Sequence, residues 1–363
     1  MKRLAVLALM PLLGGCATID YYLQAINGQL DVIHRAQPIE HVLADPTTAD
    51  SLKQELVEVR QIRSFASAQL GLPDNGTFRR YADLQRPYVV WNVFAAPELS
   101  TQPKEWCYPL FGCANYRGYF SLAKAETAAH ALQQDGYDTY VSGIPAYSTL
   151  GWFDDPVLNT FVHYPHGQLA AVIFHELAHQ VVYVSGDTTF NESFATAVAQ
   201  EGTRRWLAAS GNTEQRAAFQ AAEQRRRGFA KLVDKYREQL EELYATALPD
   251  EQKRVRKAET FRAMKEAYQN LKSAPGGFAG YDGWFSQPLN NAQLASASLY
   301  TQMVPAFQAL LAREGGNLPR FYRAVKDIGA LPKGQRTEVL QSLADTASAA
   351  TSAQLFTSGT SQF

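Results

Sequence analysis

The spacing of apolar and polar positions changes character along the chain. Over Asp50–Leu70 the residues Leu52, Leu56, Val59, Ile62 and Leu70 recur at helical spacing, and Gly71-Leu72-Pro73 closes the segment, so a helix is predicted there. Residues 87–95 (PYVVWNVFA) are β-branched and aromatic and predict a strand, as do 116–120 (YRGYF). Leu122–Gln134 predicts a helix, 137–141 a short strand, and 147–153 (YSTLGWF) an extended segment that Asp155-Pro156 ends, offered as an edge strand. From Leu169 the pattern is helical. A strongly apolar helix is predicted over 169–184 and a second over 192–209. Two charge-rich helices, 215–245 and 250–272, fold into a hairpin at Leu248-Pro249. Beyond a loop of Gly and aromatic residues at 274–288, helices are predicted over 291–313, 318–327 and 334–344. This order implies an α+β fold class: an α+β part over 16–168, a mainly helical part over 169–346, and a Ser-, Thr- and Ala-rich tail at 347–363 expected to be disordered.

Composition narrows the class. The chain has 363 residues, 46% hydrophobic and 19% charged, which suffices to bury a core without a disulfide framework. With a formal net charge of -1 and no basic face standing out from composition, nothing points to a nucleic-acid partner, and none is expected. The charged faces of the predicted hairpin read as solvated surface.

The N-terminus carries an address. Lys2-Arg3 precedes an apolar run over 4–13, too short to span a bilayer, so 1–15 reads as a signal peptide. The following Leu13-Gly14-Gly15-Cys16 resembles the lipobox of bacterial lipoproteins. That resemblance implies a lipid on Cys16 and a membrane partner through this anchor; a plain secretory leader is the alternative. Ala17, where Asp would retain such proteins at the inner membrane, favours the outer membrane with the chain facing the periplasm. In that oxidising compartment the two remaining cysteines, Cys107 and Cys113, are expected to pair.

The chemistry sits at 170–182, AAVIFHELAHQVV, where His175-Glu176-Leu177-Ala178-His179 matches H-E-x-x-H on an apolar helix. Residues four apart share a helix face one turn apart, so both imidazoles can point at one ion. Glu176 sits beside that face, able to reach a metal-activated water as general base but displaced from the ligand set. The bland alternative, two satisfied core histidines, would strand polar groups in an apolar run without compensation. A catalytic zinc commonly takes three protein ligands, and Glu192 in Phe190-Asn191-Glu192-Ser193-Phe194-Ala195, thirteen residues after His179, is the candidate third. A turn at Ser185-Gly186-Asp187 would fold its helix back along the first.

Together, HELAH and NESFA look like the gluzincin branch of zinc peptidases, and N-E-x-F-A is most similar to zinc aminopeptidases. Combined with the lipobox, WCYPLFGCANYRGYF and AYSTLGWFDDP, the chain resembles a bacterial family of predicted aminopeptidase lipoproteins. The resemblance covers most of the mature chain. It implies a zincin-like fold, Zn2+ held by His175, His179 and Glu192, Glu176 as base, and a peptide substrate. The interval from His179 to Glu192 is shorter than in well-known gluzincins, which requires a tight connection. No G-x-M-E-N element precedes HELAH, so a substrate ammonium must find its carboxylates elsewhere. Asp154 and Asp155 are candidates, with a turn cap before Pro156 as the alternative. Asn191 could serve similarly or simply cap the Glu192 helix. For a donor to the developing oxyanion, Tyr300 and Tyr147 are the candidates among 18 tyrosines. Tyr116 and Tyr119 read as packing residues, and His163 and His166 as exposed loop histidines. Within the hydrolase reading, an endopeptidase is open beside an aminopeptidase. The other class is a non-enzymatic envelope lipoprotein using the fold as a scaffold, against which the intact Glu176 weighs.

Overall fold

A computed structural model describes residues 10–108, 112–274 and 279–358, the side chains of 10–18 and 347–358 excepted. The expected signal segment up to residue 9 and the side chain of Cys16 therefore lie outside the described residues. The chain runs through α1 (Met10–Arg35), β1 (Gln37–Pro38), α2 (Ile39–Ala44), α3 (Asp50–Leu70), β2 (Arg80–Ala82) and β3 (Val90–Pro97). It continues with β4 (Trp106–Tyr108), β5 (Gly112–Ala114), β6 (Arg117–Tyr119), α4 (Leu122–Gln134), β7 (Tyr137–Ile144) and β8 (Val157–Leu158). Helices follow: α5 (His166–Ala178), α6 (Thr188–Ala209), α7 (Thr213–Ala245), α8 (Asp250–Ser273), α9 (Asp282–Ser286), α10 (Asn291–Ser298), α11 (Val304–Arg313), α12 (Leu318–Gly329) and α13 (Lys333–Ser358). The class is α+β, helix-rich with small sheets.

The strand β3 is apolar on both faces because it lies mid-sheet, in the order β6-β3-β7, with both partners antiparallel. Trp91 and Val93 face α4, packing with Ala125 and Ala129. Phe94 and Ala96, of the opposite parity, face Ala292 of α10 and Leu299 just beyond it. A second small sheet, β1-β2-β8, ties residues 37–38 and 80–82 to the approach of α5. The main core joins α3 (Leu56, Val59, Ile62) to Phe174 of α5, Phe194 of α6, Phe307 of α11 and Phe321 of α12, so it crosses the 168/169 division. The α7–α8 hairpin buries Phe229, Leu232, Tyr236 and Leu240 against Phe261, Met264 and Tyr268 in a core of its own.

The extended segment expected at 147–153 is not a strand. Asp155 Oδ2 accepts from Thr149 N at 2.8 Å and from Thr149 Oγ1 at 3.0 Å, Leu150 and Gly151 have positive φ, and the chain folds into a turn. The helix expected over 291–313 is two helices, interrupted at 299–303, where Met303 N donates to Ser193 Oγ at 3.3 Å and α11 starts at Val304 with Pro305 in its first turn. Helix α5 stops at Ala178, leaving His179 as its C-cap rather than an interior residue. Helix α6 begins at Thr188, four residues earlier than expected. Asp187, not Asn191, is its N-cap, accepting from Phe190 N at 3.1 Å. The segment expected to be a disordered tail continues α13 to Ser358, and 359–363 lie outside the described residues. Among the described residues no helix is long and apolar enough to cross a membrane.

Candidate metal centre

Two helices build the site. The apolar stretch before His175 buries Leu169, Ala170, Ile173 and Phe174, which sets α5 into the main core and turns His175 and His179 toward α6. The chain reverses at Ser185-Gly186, where Gly186 adopts φ +79, open to glycine at little cost. Gly112 of the β4–β5 hairpin rests on this turn; a Cβ there would stand 2.3 Å from Ser185 Oγ. The hairpin is closed by the Cys107–Cys113 disulfide. Helix α6 then runs back along α5, bringing Glu192 to the histidines.

His175 Nε2 lies 3.1 Å from Glu192 Oε2, His179 Nε2 lies 3.7 Å from the same oxygen, and the two Nε2 atoms are 3.2 Å apart. Tetrahedral ligands about 2.0–2.1 Å from a zinc ion are separated by ~3.3 Å, so the three distances bracket a tetrahedral face. Two imidazole lone pairs this close repel unless a cation or proton lies between them, which makes the donor set chemically suited to a metal. His179, Glu176 and Glu192 are buried. Burial would raise the Glu192 carboxyl, but His179 and the hydrogen bonds from both imidazoles hold it down at about 2. Burial lowers His179, yet Glu192 and Glu176 together leave it raised. The outer nitrogen, His179 Nδ1, is buried and has no hydrogen-bond partner among the described residues. The neighbouring residue supplies the anchorage: Gln180 Nε2 donates to Thr77 Oγ1 at 3.1 Å and Gln180 Oε1 accepts from Asn75 Nδ2 at 2.7 Å.

Glu176 is adjacent but outside the triad. Burial pushes its carboxyl up, the two histidines pull it down, and Glu192 pushes it up again. Tyr300, in the break between α10 and α11, sets its ring 6.4 Å from that of His175. Burial first, then Glu192, raises its phenol well above the ordinary value, so it stays protonated as a donor. Ser193, next to Glu192, positions this break from α6: its Oγ donates to Leu299 O at 3.4 Å and accepts from Met303 N.

Other candidates stand differently. Tyr147 donates its hydroxyl to Gln29 Oε1 of α1 and packs edge-on to Phe120, because 147–153 turns back instead of extending, so it is committed to holding α1. Asn191 uses both ends of its amide on the Val184 backbone, accepting from N and donating to O at 2.8 Å each, so it closes the α5–α6 connection. Asp155 is buried, with one oxygen held by Thr149. Burial first, opposed by the hydrogen bonds from Thr149 and aided by Glu176, leaves its pKa raised to about 7, so Asp155 is within electrostatic reach of Glu176. Asp154 is exposed over Gly76. His163 and His166 pair with Glu55 and Glu58 of α3.

Sequence reasoning takes Tyr116 for a packing residue and passes over Tyr183. Both phenols are raised, first by burial and next by Glu192. Tyr116 leaves the disulfide hairpin just before β6, and Tyr183 follows α5. No local pattern marks Tyr116, since only the packing of the hairpin on the α5–α6 turn brings it here.

His175, His179 and Glu192, brought together from α5 and α6 with a second carboxylate, Glu176, beside them, form a group that could hold a metal ion. The chain belongs to the family described as "Putative aminopeptidase", whose profile matches residues 20–340. No curated protein and no solved structure matches the chain. If the triad binds metal, Glu192→Ala is expected to lower bound zinc well below that of the unchanged chain while the helical circular dichroism is kept. Equal zinc content in the two proteins would remove Glu192 from the ligand set.

Proposed function

We propose that this chain is a zinc-dependent aminopeptidase of the gluzincin type, carried as a lipoprotein on the outer membrane and facing the periplasm. The single observation that carries the reading is the convergence of His175 Nε2, His179 Nε2 and Glu192 Oε2, with the Glu176 carboxylate buried beside them. The membership of an aminopeptidase family supports the peptide substrate. Zinc, when bound, polarises the scissile carbonyl and acidifies the attacking water. Glu176 accepts a proton from that water and returns it to the leaving amine. Tyr300, kept protonated by burial, donates to the oxyanion that develops. We assign the substrate ammonium to Asp155, one of whose oxygens accepts from Thr149. Lipid on Cys16 supplies the anchor.

The test is turnover of matched peptides with free and acetylated N-termini by the purified mature chain, with metal determined on the same sample. Cleavage of the free-amine peptide alone, with about one zinc per chain, is expected. Cleavage of both peptides would make it an endopeptidase. Zinc without cleavage of either would turn the reading to a binding lipoprotein.

A further inference from the structure

The helix α1 has two faces with opposite fates. Its inner face is bound to the fold at many points. Gln24 closes the free edge of β6, donating to Gly118 O at 3.3 Å and accepting from Phe120 N at 3.0 Å. Tyr21 carries the Arg117 guanidinium 3.8 Å over its ring. Gly28 lies against Phe120, where a Cβ would stand 2.0 Å from the ring, and Val32 enters the main core. The outer face presents Ile19 at 60% exposure, Leu23 at 53%, Ile26 at 55% and Leu30 at 43%. At about 100° per residue these four fall within an arc of roughly 60°, diametrically opposite Gln24, Gly28 and Val32. Four large aliphatic side chains in line on an exposed helix are more than the scattered apolar residues a soluble surface carries.

The register of the same helix supplies the occupant. Cys16 stands three residues before Ile19 on the same helix. A lipid on it would hold the N-terminal end of α1, where the stripe begins, at the bilayer. One acyl chain anchors weakly, and durable attachment takes a second signal. The stripe carries no charge, so its chemistry suits the apolar boundary of a bilayer rather than an anionic or polar partner.

We propose that the outer face of α1 lies on the membrane surface, with Ile19, Leu23, Ile26 and Leu30 embedded at the boundary of headgroups and acyl chains. Because α1 is clamped to β6 through Gln24 and to Tyr147 through Gln29, this contact also sets the orientation of the neighbouring metal-site region to the bilayer: Tyr116 precedes β6 directly. The inference rests on the lipoprotein reading only for its starting point at Cys16.

The experiment uses the mature chain made from the full-length gene and reconstituted in vesicles of phosphatidylethanolamine and phosphatidylglycerol containing nitroxide lipid. An environment-sensitive fluorophore is placed by Ile26→Cys or, as a control on the α7–α8 hairpin, by Gln239→Cys. The acylation of Cys16 is read by mass spectrometry. The expected result is blue-shifted, quenched emission at 26 and neither effect at 239, with quenching lost in an Ile19→Ser, Leu23→Ser, Leu30→Ser background. Acylated Cys16 with unquenched emission at 26 would overturn the stripe and leave the anchor standing. Quenching at 26 in a chain whose Cys16 carries no lipid would uphold the stripe and overturn the anchor. A blue shift without quenching would mean that a second copy of the chain covers the stripe, and would overturn the bilayer assignment, as would quenching that survives the three serines.

Discussion

Glu176→Gln is expected to lower kcat for peptide cleavage by about 10²–10⁴-fold, the range over which a positioned proton acceptor acts. The substitution preserves the size and burial of the side chain but removes the lone-pair basicity that takes up the proton of the attacking water. Glu176 is not among the three converging ligands, so bound zinc and thermal stability are expected to match the unchanged chain. Both halves of this outcome are needed. A fall in activity that accompanied lost metal would show only that the site had been damaged. Full activity with full metal would refute the assigned base. A lipoprotein that used the fold only as a scaffold would have no activity for the substitution to remove, and the comparison then reports on that reading too.

Arg336→Met is expected to destabilise the fold by about 3–5 kcal/mol, the cost of leaving one member of a buried ion pair uncompensated. Arg336 of α13 and Asp187 at the start of α6 are almost fully buried. Their contacts are 2.9 Å from Nε and 2.8 Å from the terminal nitrogen to Asp187 Oδ2. The same guanidinium donates to Gly329 O at 3.0 Å and Leu331 O at 2.8 Å. The other carboxylate oxygen, Oδ1, caps α6 through Phe190 N. Loss of Arg336 therefore strands a charge at the point from which Glu192 is aimed, and zinc affinity should fall with stability. Denaturant midpoints of the single variant and of Arg336→Met with Asp187→Asn measure this. The double variant is expected to recover part of the loss, because Asn caps the helix without a buried charge. A single-variant cost below about 1 kcal/mol, typical of an exposed pair, would mean that the pair does not hold the start of α6.

How much of this was legible beforehand varied with the physical range of the signal. Helix α3 follows from its apolar spacing and from Gly71, which takes the left-handed cap conformation with φ +66. Helices α4, α7 and α8 were equally plain, since each pattern repeats over three turns or more. The strand β3 was clear from β-branched and aromatic content. Errors gathered where a contact from a distant segment overrides local preference. The 147–153 run has strand composition, but Asp155 turns it back by capturing Thr149. The 291–313 run has helix composition, but Ser193 of α6 satisfies backbone groups that the break would otherwise strand. Asn191 sits in a helix rather than before it, because Asp187 with Arg336 opens α6 a turn earlier.

The sequence by itself determined what i, i+4 geometry determines: His175 and His179 lie on one face of a helix with Glu176 beside them, and a family membership is readable from the same letters. Only the tertiary structure decided which distant groups meet that face. Glu192 reaches it because Gly186 and Asp187 reverse the chain. Tyr300 and Tyr116 reach it because α10 packs on β3 and the disulfide hairpin packs on the α5–α6 turn, while Tyr147 is taken by α1. A helix repeat is a short-range property written in neighbouring residues. The meeting of remote loops depends on core packing and on buried polar pairs whose partners carry no mark of one another in sequence.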